Sequence, residues 1–206
     1  MLKDLVKANR SYRGYDHSAK IPYETLETWV DLTRYAASSI NKQPLRYKIV
    51  WEESEVDALQ KKTFWARGLP EMTLPHPGKE PVAFVVICHD TALFADPVRF
   101  HKDVGIVAQT MLLAAVEEGF GGIMIGNFNP GQVSELLGLP EGVEPQLIVA
   151  FGKPDEEVVL VDLPPAADAA QPPAAPAADA GPDTNYYRDD ADVHYVPKRA
   201  LQDLLL

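Results

Sequence analysis

Two arginines and a serine lie close together near the amino terminus, in the segment Asn9-Arg10-Ser11-Tyr12-Arg13. Guanidinium groups bind phosphate oxygens through paired hydrogen bonds, and a serine hydroxyl adds another donor. The spacing therefore indicates a site for one dianionic phosphate group. A solvated basic loop that pairs with the protein's own carboxylates is the alternative, and for a basic segment taken alone it is the commoner case.

A second polar group of residues follows where the helix predicted around Trp29 ends. Its hydroxyl and carboxamide groups are neutral donors and acceptors, which suit a planar heterocycle with alternating N–H and C=O groups, such as the edge of an isoalloxazine ring. A helix end that solvates its own backbone explains the same residues equally well. The residues are Ser38, Ser39, Asn41 and Gln43.

Glycines bracket a short apolar strand predicted over 122–126, which Asn127 follows. Glycine lets a backbone approach a flat ligand closely, so the end of this strand is a third candidate for chemistry. The glycine spacing does not match the dinucleotide-binding fingerprint. For this segment alone, two tight turns are the simpler interpretation.

Composition limits the classes of function. The 206 residues include 19 Lys and Arg against 30 Asp and Glu, a net charge of −11, and 46% are apolar. Such an acidic chain is not expected to bind nucleic acid or an anionic membrane, although it can still bind one phosphate. The one cysteine, Cys88, excludes an internal disulfide, and the five histidines lack ligand spacing, so we expect no metal site. No apolar run approaches membrane-spanning length, and we expect a cytoplasmic protein.

The elements that must position these segments alternate between helix and strand, which predicts an α+β fold, an α/β sandwich with helices on the faces of a layered sheet. The continuous apolar run Val82 to Cys88 predicts a strand buried on both faces. The clearest helix begins near Asp96 and ends at Gly119, with an apolar stripe over 104–116. Weaker patterns predict helices over 2–9, 22–37, 56–66 and 130–138, and strands over 47–51 and 146–151.

Composition also divides the chain. Fifteen of the nineteen residues from Pro164 to Pro182 are alanine or proline, which is typical of a linker or a surface insertion. We therefore expect a main domain over 1–163, a linker or insertion over 164–184, and a C-terminal segment over 185–206. This last segment is rich in tyrosine and leucine, so we expect it to pack back on the domain or on a partner subunit.

Taken in order, these segments resemble the nitroreductase family of FMN-dependent oxidoreductases. Residues 9–16 are similar to the first signature of the family, except that Asn9 replaces an arginine. Residues 35–45 are similar to the second, with Ala37 and Leu45 as departures. The long helix, the glycines at 119–122 and the basic pair before the leucine-rich end also match the family pattern.

The resemblance implies a nitroreductase-like FMN-binding fold, with a central, mostly antiparallel sheet flanked by helices. It also implies a homodimer with shared active sites, whose interface includes the long helix. A helix buried in its own domain is the plain alternative for the apolar stripe.

The resemblance further assigns contacts with FMN. Arg10, Ser11 and Arg13 would hold the phosphate and ribityl end of the cofactor. Lys198 and Arg199 would close on the same phosphate. The partner subunit would contribute Ser38, Ser39 and Asn41, with Gln43 as a further candidate in that loop, and Gly126 and Asn127 would lie beside the N5 edge of the ring. The family's mid-chain flavin contacts fall in the proline-rich stretch 69–81, where no residue can be matched.

The implied reaction is a ping-pong oxidoreduction, in which NADH or NADPH reduces FMN and a small organic acceptor, a nitroaromatic or a quinone, then takes the electrons. The flavin carries this chemistry, so no side chain is assigned as catalytic. Three alternatives stay open. The chain could be a flavin enzyme with another acceptor (a flavin reductase, dehydrogenase or dehalogenase), a non-catalytic FMN-binding protein, or a scaffold that has lost flavin.

Overall fold

The computed structural model describes residues 1–165 and 184–206. The described residues form two compact units. The first consists of Met1–Ala66 and Met72–Asp155, and the second of Arg67–Glu71 and Glu156–Leu206. The predicted linker over 164–184 lies almost entirely outside the described residues. Within the described ranges, no helix is both long enough and apolar enough to cross a membrane.

The first unit is built around one five-stranded antiparallel sheet. The strand β5 pairs with β3 along one edge, and with β4 and β1 along the other, while β2 pairs with β3 on the outside. The predicted, mostly antiparallel sheet is thereby confirmed. Its strands are β1 (Tyr15–Asp16), β2 (Leu45–Val50), β3 (Ala83–Asp90), β4 (Gly121–Ile125) and β5 (Val143–Pro154).

Five α-helices flank this sheet. They are α1 (Leu2–Ala8), α2 (Tyr23–Leu32), α3 (Glu53–Gln60), α4 (His101–Glu117) and α5 (Pro130–Leu137). The best-predicted boundaries are those of α5. The Asn129 side chain accepts a hydrogen bond of 3.1 Å from the Gln132 backbone N–H, and Gly138 ends the helix with a φ of 58°.

Two helices end earlier than their apolar patterns predict. We expected a helix over 56–66, but α3 ends at Gln60, because Thr63 leaves the helix to form a β-bridge with Phe128. The Thr63 hydroxyl also donates to the Gln60 carbonyl at 2.7 Å. The helix predicted over 22–37 ends at Leu32 and continues only as a 3₁₀ turn over Thr33–Tyr35.

The central strand β3 separates two apolar cores. All eight of its residues are buried, as the apolar run predicts. Successive side chains point to opposite faces of a strand. Accordingly, Val85 and Ile87 pack with α2 and α4, whereas Phe84 and Val86 pack with α3 and α5. The resulting helix, sheet and helix layers confirm the predicted α+β sandwich.

The apolar stripe of α4 faces the core of its own unit. Its members are buried against Trp29 of α2 and against β3 and β5, which supports the plain alternative for this stripe. The buried members are Val104, Val107, Ala108, Met111, Leu112, Ala114 and Ala115. A subunit interface on α4 would therefore have to use its opposite face, where Gly105 and Ile106 are exposed.

The second unit contains a small mixed sheet that the sequence did not predict. The strand β6 (Val158–Asp162) pairs in parallel with β8 (His194–Lys198), and β7 (Tyr187–Arg188) pairs antiparallel with β8. The Arg188 guanidinium forms an ion pair with Glu156, and the exposed fractions of the two side chains are only 2% and 5%. The Tyr186 hydroxyl accepts a hydrogen bond of 3.1 Å from the Gly68 N–H, so residues 67–71 belong to this unit.

Candidate functional site

The Arg10–Arg13 segment follows α1 and lies against the start of β4. Ser11 forms a parallel β-bridge with Gly122, and the Tyr12 N–H donates to the Gly122 carbonyl at 3.2 Å. A Cβ on Gly121 would lie 2.7 Å from the Tyr12 ring, and one on Gly122 would lie 2.2 Å from the Ala150 carbonyl oxygen. Gly121 is therefore required so that Tyr12 can lie this close to the sheet, whereas Gly122 is required for the packing of β4 against β5 and α4.

Arg10 is a partly buried cation that pairs with no carboxylate in the described part of the chain. Its Nη2 donates to the Val6 carbonyl at 2.7 Å, at the end of α1. Its Nε is buried and, among the described residues, has no hydrogen-bond partner. Burial lowers the pKa of this guanidinium from its ordinary value. Because a buried charge is costly unless it is paired, Arg10 suits an anion that is not part of the chain.

The other residues of this segment differ in exposure. Arg13 is 7% exposed, and its Nη1 donates to the Ser11 carbonyl at 3.1 Å. The Ser11 side chain is exposed. Asn9, which replaces the family's first arginine, is 9% exposed and donates its N–H to the Leu5 carbonyl at the end of α1. Asn9 thus terminates a helix and supplies no cation.

The Ser38–Gln43 loop connects the 3₁₀ turn after α2 with β2. The Ser38 hydroxyl donates to Asp103 Oδ2 at 2.7 Å and accepts from the Gln43 N–H at 3.0 Å. The Ser39 N–H donates to the same Asp103 oxygen at 2.9 Å. The start of the loop is therefore bound to the first turn of α4, and its end at Gln43 is bound to Ser38.

The backbone of this loop is strained. Ile40, Asn41 and Gln43 have φ values of 47°, 54° and 51°. Asparagine tolerates this left-handed region, but a β-branched residue such as Ile40 rarely adopts it. Strain of this kind persists only where the surrounding structure enforces it, and it is concentrated at ligand sites.

Gly126 and Asn127 lie just beyond the end of β4, and both are exposed. The Asn127 carbonyl accepts a hydrogen bond of 3.0 Å from the Phe64 N–H, which fixes the backbone at this point. A Cβ on Gly126 would meet no atom within 4 Å. The chain's own packing does not require this glycine, and there is open space in front of it for a ligand.

The strand β4 joins two of the predicted groups. Ser11 lies beside Gly122, and Gly126 is four residues farther along, about 13 Å at the rise of an extended strand. The basic segment and the open glycine are thus placed along one edge. The hydrogen bonds of Ser38 and Ser39 go instead to α4, on a different element of the same unit.

Lys198 and Arg199 belong to the second unit, at the end of β8. Both side chains are exposed, and the Arg199 guanidinium donates to the Asp203 carbonyl at 2.6 Å. The Lys198 carbonyl accepts from the Leu163 N–H at 2.9 Å. Their role as phosphate contacts stays a prediction.

Sequence reasoning missed Asp103, which is 4% exposed. A signal was present, because Asp103 lies between Phe100 and Val104 on the buried side of the helix, where an acidic residue needs a hydrogen-bonding partner. Within the described chain, no group of three or more His, Cys, Asp or Glu side chains could hold a metal ion.

Comparisons with known proteins agree with this architecture. A protein of Archaeoglobus fulgidus, whose name couples NADH dehydrogenase with NAD(P)H nitroreductase, is 25% identical over 158 residues, which are 74% of this chain and 85% of its own. A nitroreductase family protein of Clostridium difficile 630 has a structure similar to this one, with a TM-score of 0.59 and 26% identity over 74% of this chain and 84% of its own.

The NADPH:FMN oxidoreductase of Vibrio harveyi, solved in complex with NAD⁺, also has a TM-score of 0.59. It is 26% identical over 75% of this chain and 69% of its own. The family model of the Nitroreductase family matches residues 6–153, which contain four of the five flanking helices in full and the whole sheet of the first unit except the last residue of β5. The resemblance seen in the sequence is confirmed, and the chain belongs to the nitroreductase family.

Proposed function

We propose that this chain is an FMN-dependent oxidoreductase that takes electrons from NADH or NADPH and passes them to an organic acceptor, nitroaromatic or quinone-like, in a ping-pong cycle. The oxidoreductase class, the flavin and the nicotinamide donor accord with membership of the family. The acceptor class and the order of the two half-reactions are our proposal.

The observation that carries this proposal is the Arg10 guanidinium, which pairs with no carboxylate among the residues that the structure describes. The buried Nε of Arg10 also has no hydrogen-bond partner within 1–165 and 184–206, so this side chain offers a positive site for a phosphate group. Arg13 and the exposed Ser11 hydroxyl lie beside it in the chain, and together they form the donor set that a phosphate monoester requires. The residues present therefore fit the phosphate end of FMN.

The same fit extends along β4. The open space at Gly126 and the fixed backbone at Asn127 would accommodate the edge of the isoalloxazine ring, and an N–H group there would donate to N5. Lys198 and Arg199 would add positive charge at the phosphate. When bound, FMN supplies the transfer of hydride and electrons between the nicotinamide and the acceptor. The chain's part is to bind and orient the cofactor and to hold N–H dipoles where negative charge develops.

We further propose a homodimer, in which Ser38, Ser39, Asn41 and Gln43 reach the cofactor bound by the partner subunit. Exposed apolar side chains support an interface. The helix α1 has no buried residue, although it carries Leu2 and Val6, which are 67% and 45% exposed, and Ile106 on the outer face of α4 is 42% exposed. Cys88 is buried in β3, and we propose a reducing, cytoplasmic location.

An absorption spectrum with and without nicotinamide tests the proposal. We expect the purified protein to carry or take up FMN, and the flavin bands to bleach when NADH or NADPH is added without oxygen. Addition of a quinone or a nitroaromatic should then restore the bands in a second, separate phase.

The same experiment separates the alternatives. A yellow protein that neither nicotinamide bleaches would be a binding protein rather than an enzyme of this kind. A colourless protein that takes up no added FMN would be a scaffold without its cofactor. Bleaching without recovery by either acceptor would show that the acceptor belongs to another class.

A further inference from the structure

We infer that Asp103 is a positioning residue of the flavin site, whose buried carboxylate holds the Ser38–Gln43 loop in the conformation that meets the cofactor. This inference rests on the proposed function, because it takes the loop to contact FMN. The motifs that identify the family do not include Asp103, which lies about sixty residues farther along the chain.

One carboxylate fastens both ends of the loop. Asp103 Oδ2 accepts the Ser38 hydroxyl at 2.7 Å and the Ser39 N–H at 2.9 Å, and the Ser38 hydroxyl oxygen in turn accepts the Gln43 N–H at 3.0 Å. In the described ranges no cationic side chain pairs with Asp103, so these neutral donors are the stabilising partners of its charge. Hydrogen bonds to an ionised acceptor are stronger than those between neutral groups.

Packing contributes little to the conformation of the loop. The side chains of Ile40, Asn41 and Gln43 are exposed. A partly open pocket of about 150 Å³ adjoins the loop, and Ser38, Gln43 and Asp103 line it together with Leu45, Tyr47 and Val107. A backbone with three left-handed residues beside an open pocket would relax if its hydrogen bonds were removed.

These hydrogen bonds determine which polar groups of the loop remain available to a ligand. The Ser38 hydroxyl proton is directed at Asp103, and one lone pair of its oxygen accepts the Gln43 N–H, so only the remaining lone pair of Ser38 is available to a ligand. The Ser39 hydroxyl makes no hydrogen bond to any other described residue and is the donor left for a ligand. Because Asp103 is 4% exposed, its effect on the cofactor passes through Ser38 and Ser39.

The experiment compares Asp103→Ala, Asp103→Asn and a control, Asp57→Ala, which removes an exposed aspartate of α3. FMN affinity is measured by fluorescence titration, and hydrogen exchange of the loop amides is followed with and without flavin. We expect Asp103→Ala to speed exchange at Ser39 and Gln43 and to weaken FMN binding about tenfold, since two charge-assisted hydrogen bonds are lost.

An asparagine carbonyl can accept both hydrogen bonds, so Asp103→Asn should bind FMN within about threefold of the wild type. The Asp103→Asn variant remains informative if Asp103→Ala does not fold. Asp57→Ala should change neither quantity. These results together support the inference.

Two outcomes would overturn it. If exchange at Ser39 and Gln43 is unchanged in Asp103→Ala, the carboxylate does not hold the loop. If exchange rises but FMN affinity stays the same, the loop does not meet the cofactor. Neither outcome removes the proposed function, which fails only if the wild-type protein binds no FMN, and in that case the exchange measurement still reports whether Asp103 holds the loop.

Discussion

The Arg10–Arg13 segment and the Ser38–Gln43 loop are held in place by opposite means. The first lies against β4, where the Tyr12 ring leaves no room for a methyl group on Gly121, and Ala150 and Leu112 leave none on Gly122. The second lines a partly open pocket, has a strained backbone and depends on hydrogen bonds to one carboxylate.

This difference suggests that the two segments have different roles in binding the cofactor. A segment fixed by packing keeps its geometry in the absence of a ligand. This suits Arg10, because its partly buried charge must stay in position for the phosphate even though it lowers the stability of the free protein. A loop fixed by a few hydrogen bonds can adjust when a ligand or a second subunit arrives. The packed segment should therefore determine whether FMN binds, and the loop how tightly it is enclosed.

The largest effect should come from a substitution that disrupts the packing around β4. In Gly122→Ala the new methyl group would lie 2.2 Å from the Ala150 carbonyl oxygen and 2.8 Å from Leu112, so the strands must separate. We expect the free energy of unfolding in urea to fall by about 3 kcal/mol. The matched variant Gly126→Ala, at the other end of β4, should change it by about 0.5 kcal/mol or less. Equal losses in both variants would contradict the packing argument.

A smaller effect should follow from removing the positive charge of Arg10. Arg10→Ala removes a guanidinium that would bind the phosphate through charge-assisted hydrogen bonds, and such bonds contribute about 2 kcal/mol. We expect FMN affinity, measured by fluorescence titration, to fall between about tenfold and a hundredfold. Arg99→Ala, which removes another arginine over the Phe94 ring, is the control and should leave the affinity unchanged. Unaltered binding in Arg10→Ala would remove the main support for the phosphate site.

The smallest effect should come from the strained loop. Ile40→Asn places a residue that tolerates the left-handed region at a φ of 47°. We expect thermal unfolding to show a gain of about 1 kcal/mol in stability. The exposed Val98 lies in a 3₁₀ turn, and Val98→Asn should give no such gain. A loss of stability in Ile40→Asn would mean that the Ile40 side chain contributes more than its backbone costs.

The sequence predicted most of the first unit because local rules and tertiary packing agree there. The apolar run at 82–88 has to be buried wherever it lies, and Asn129, Pro130 and Gly138 set the bounds of α5 by themselves. The C-terminal sheet could not be predicted in this way. The strands β6 and β8 are short and paired in parallel, and their register depends on partners more than thirty residues apart.

The candidate site shows the same limit. Arg10 and Ser38 could be selected because they lie in recognisable motifs. The sequence does not show which of their donors and acceptors form hydrogen bonds within the folded chain. The hydrogen bond of Ser38 to Asp103, and the lack of a partner for Arg10 Nε among the described residues, depend on how distant parts of the chain pack together.

The ion pair between Arg188 and Glu156 has a consequence for how this chain can change over evolution. Glu156 comes just after the end of the family match, and Arg188 comes from beyond the alanine- and proline-rich stretch, yet both side chains are almost fully enclosed. Arg188 also pairs with Asp192, so its guanidinium joins carboxylates from both sides of that stretch. Loss of Arg188 would take a cation away from the almost fully enclosed Glu156 carboxylate, and removal of one partner of a buried ion pair is destabilising. A change that removes Arg188 is therefore expected to be tolerated best when Glu156 changes as well.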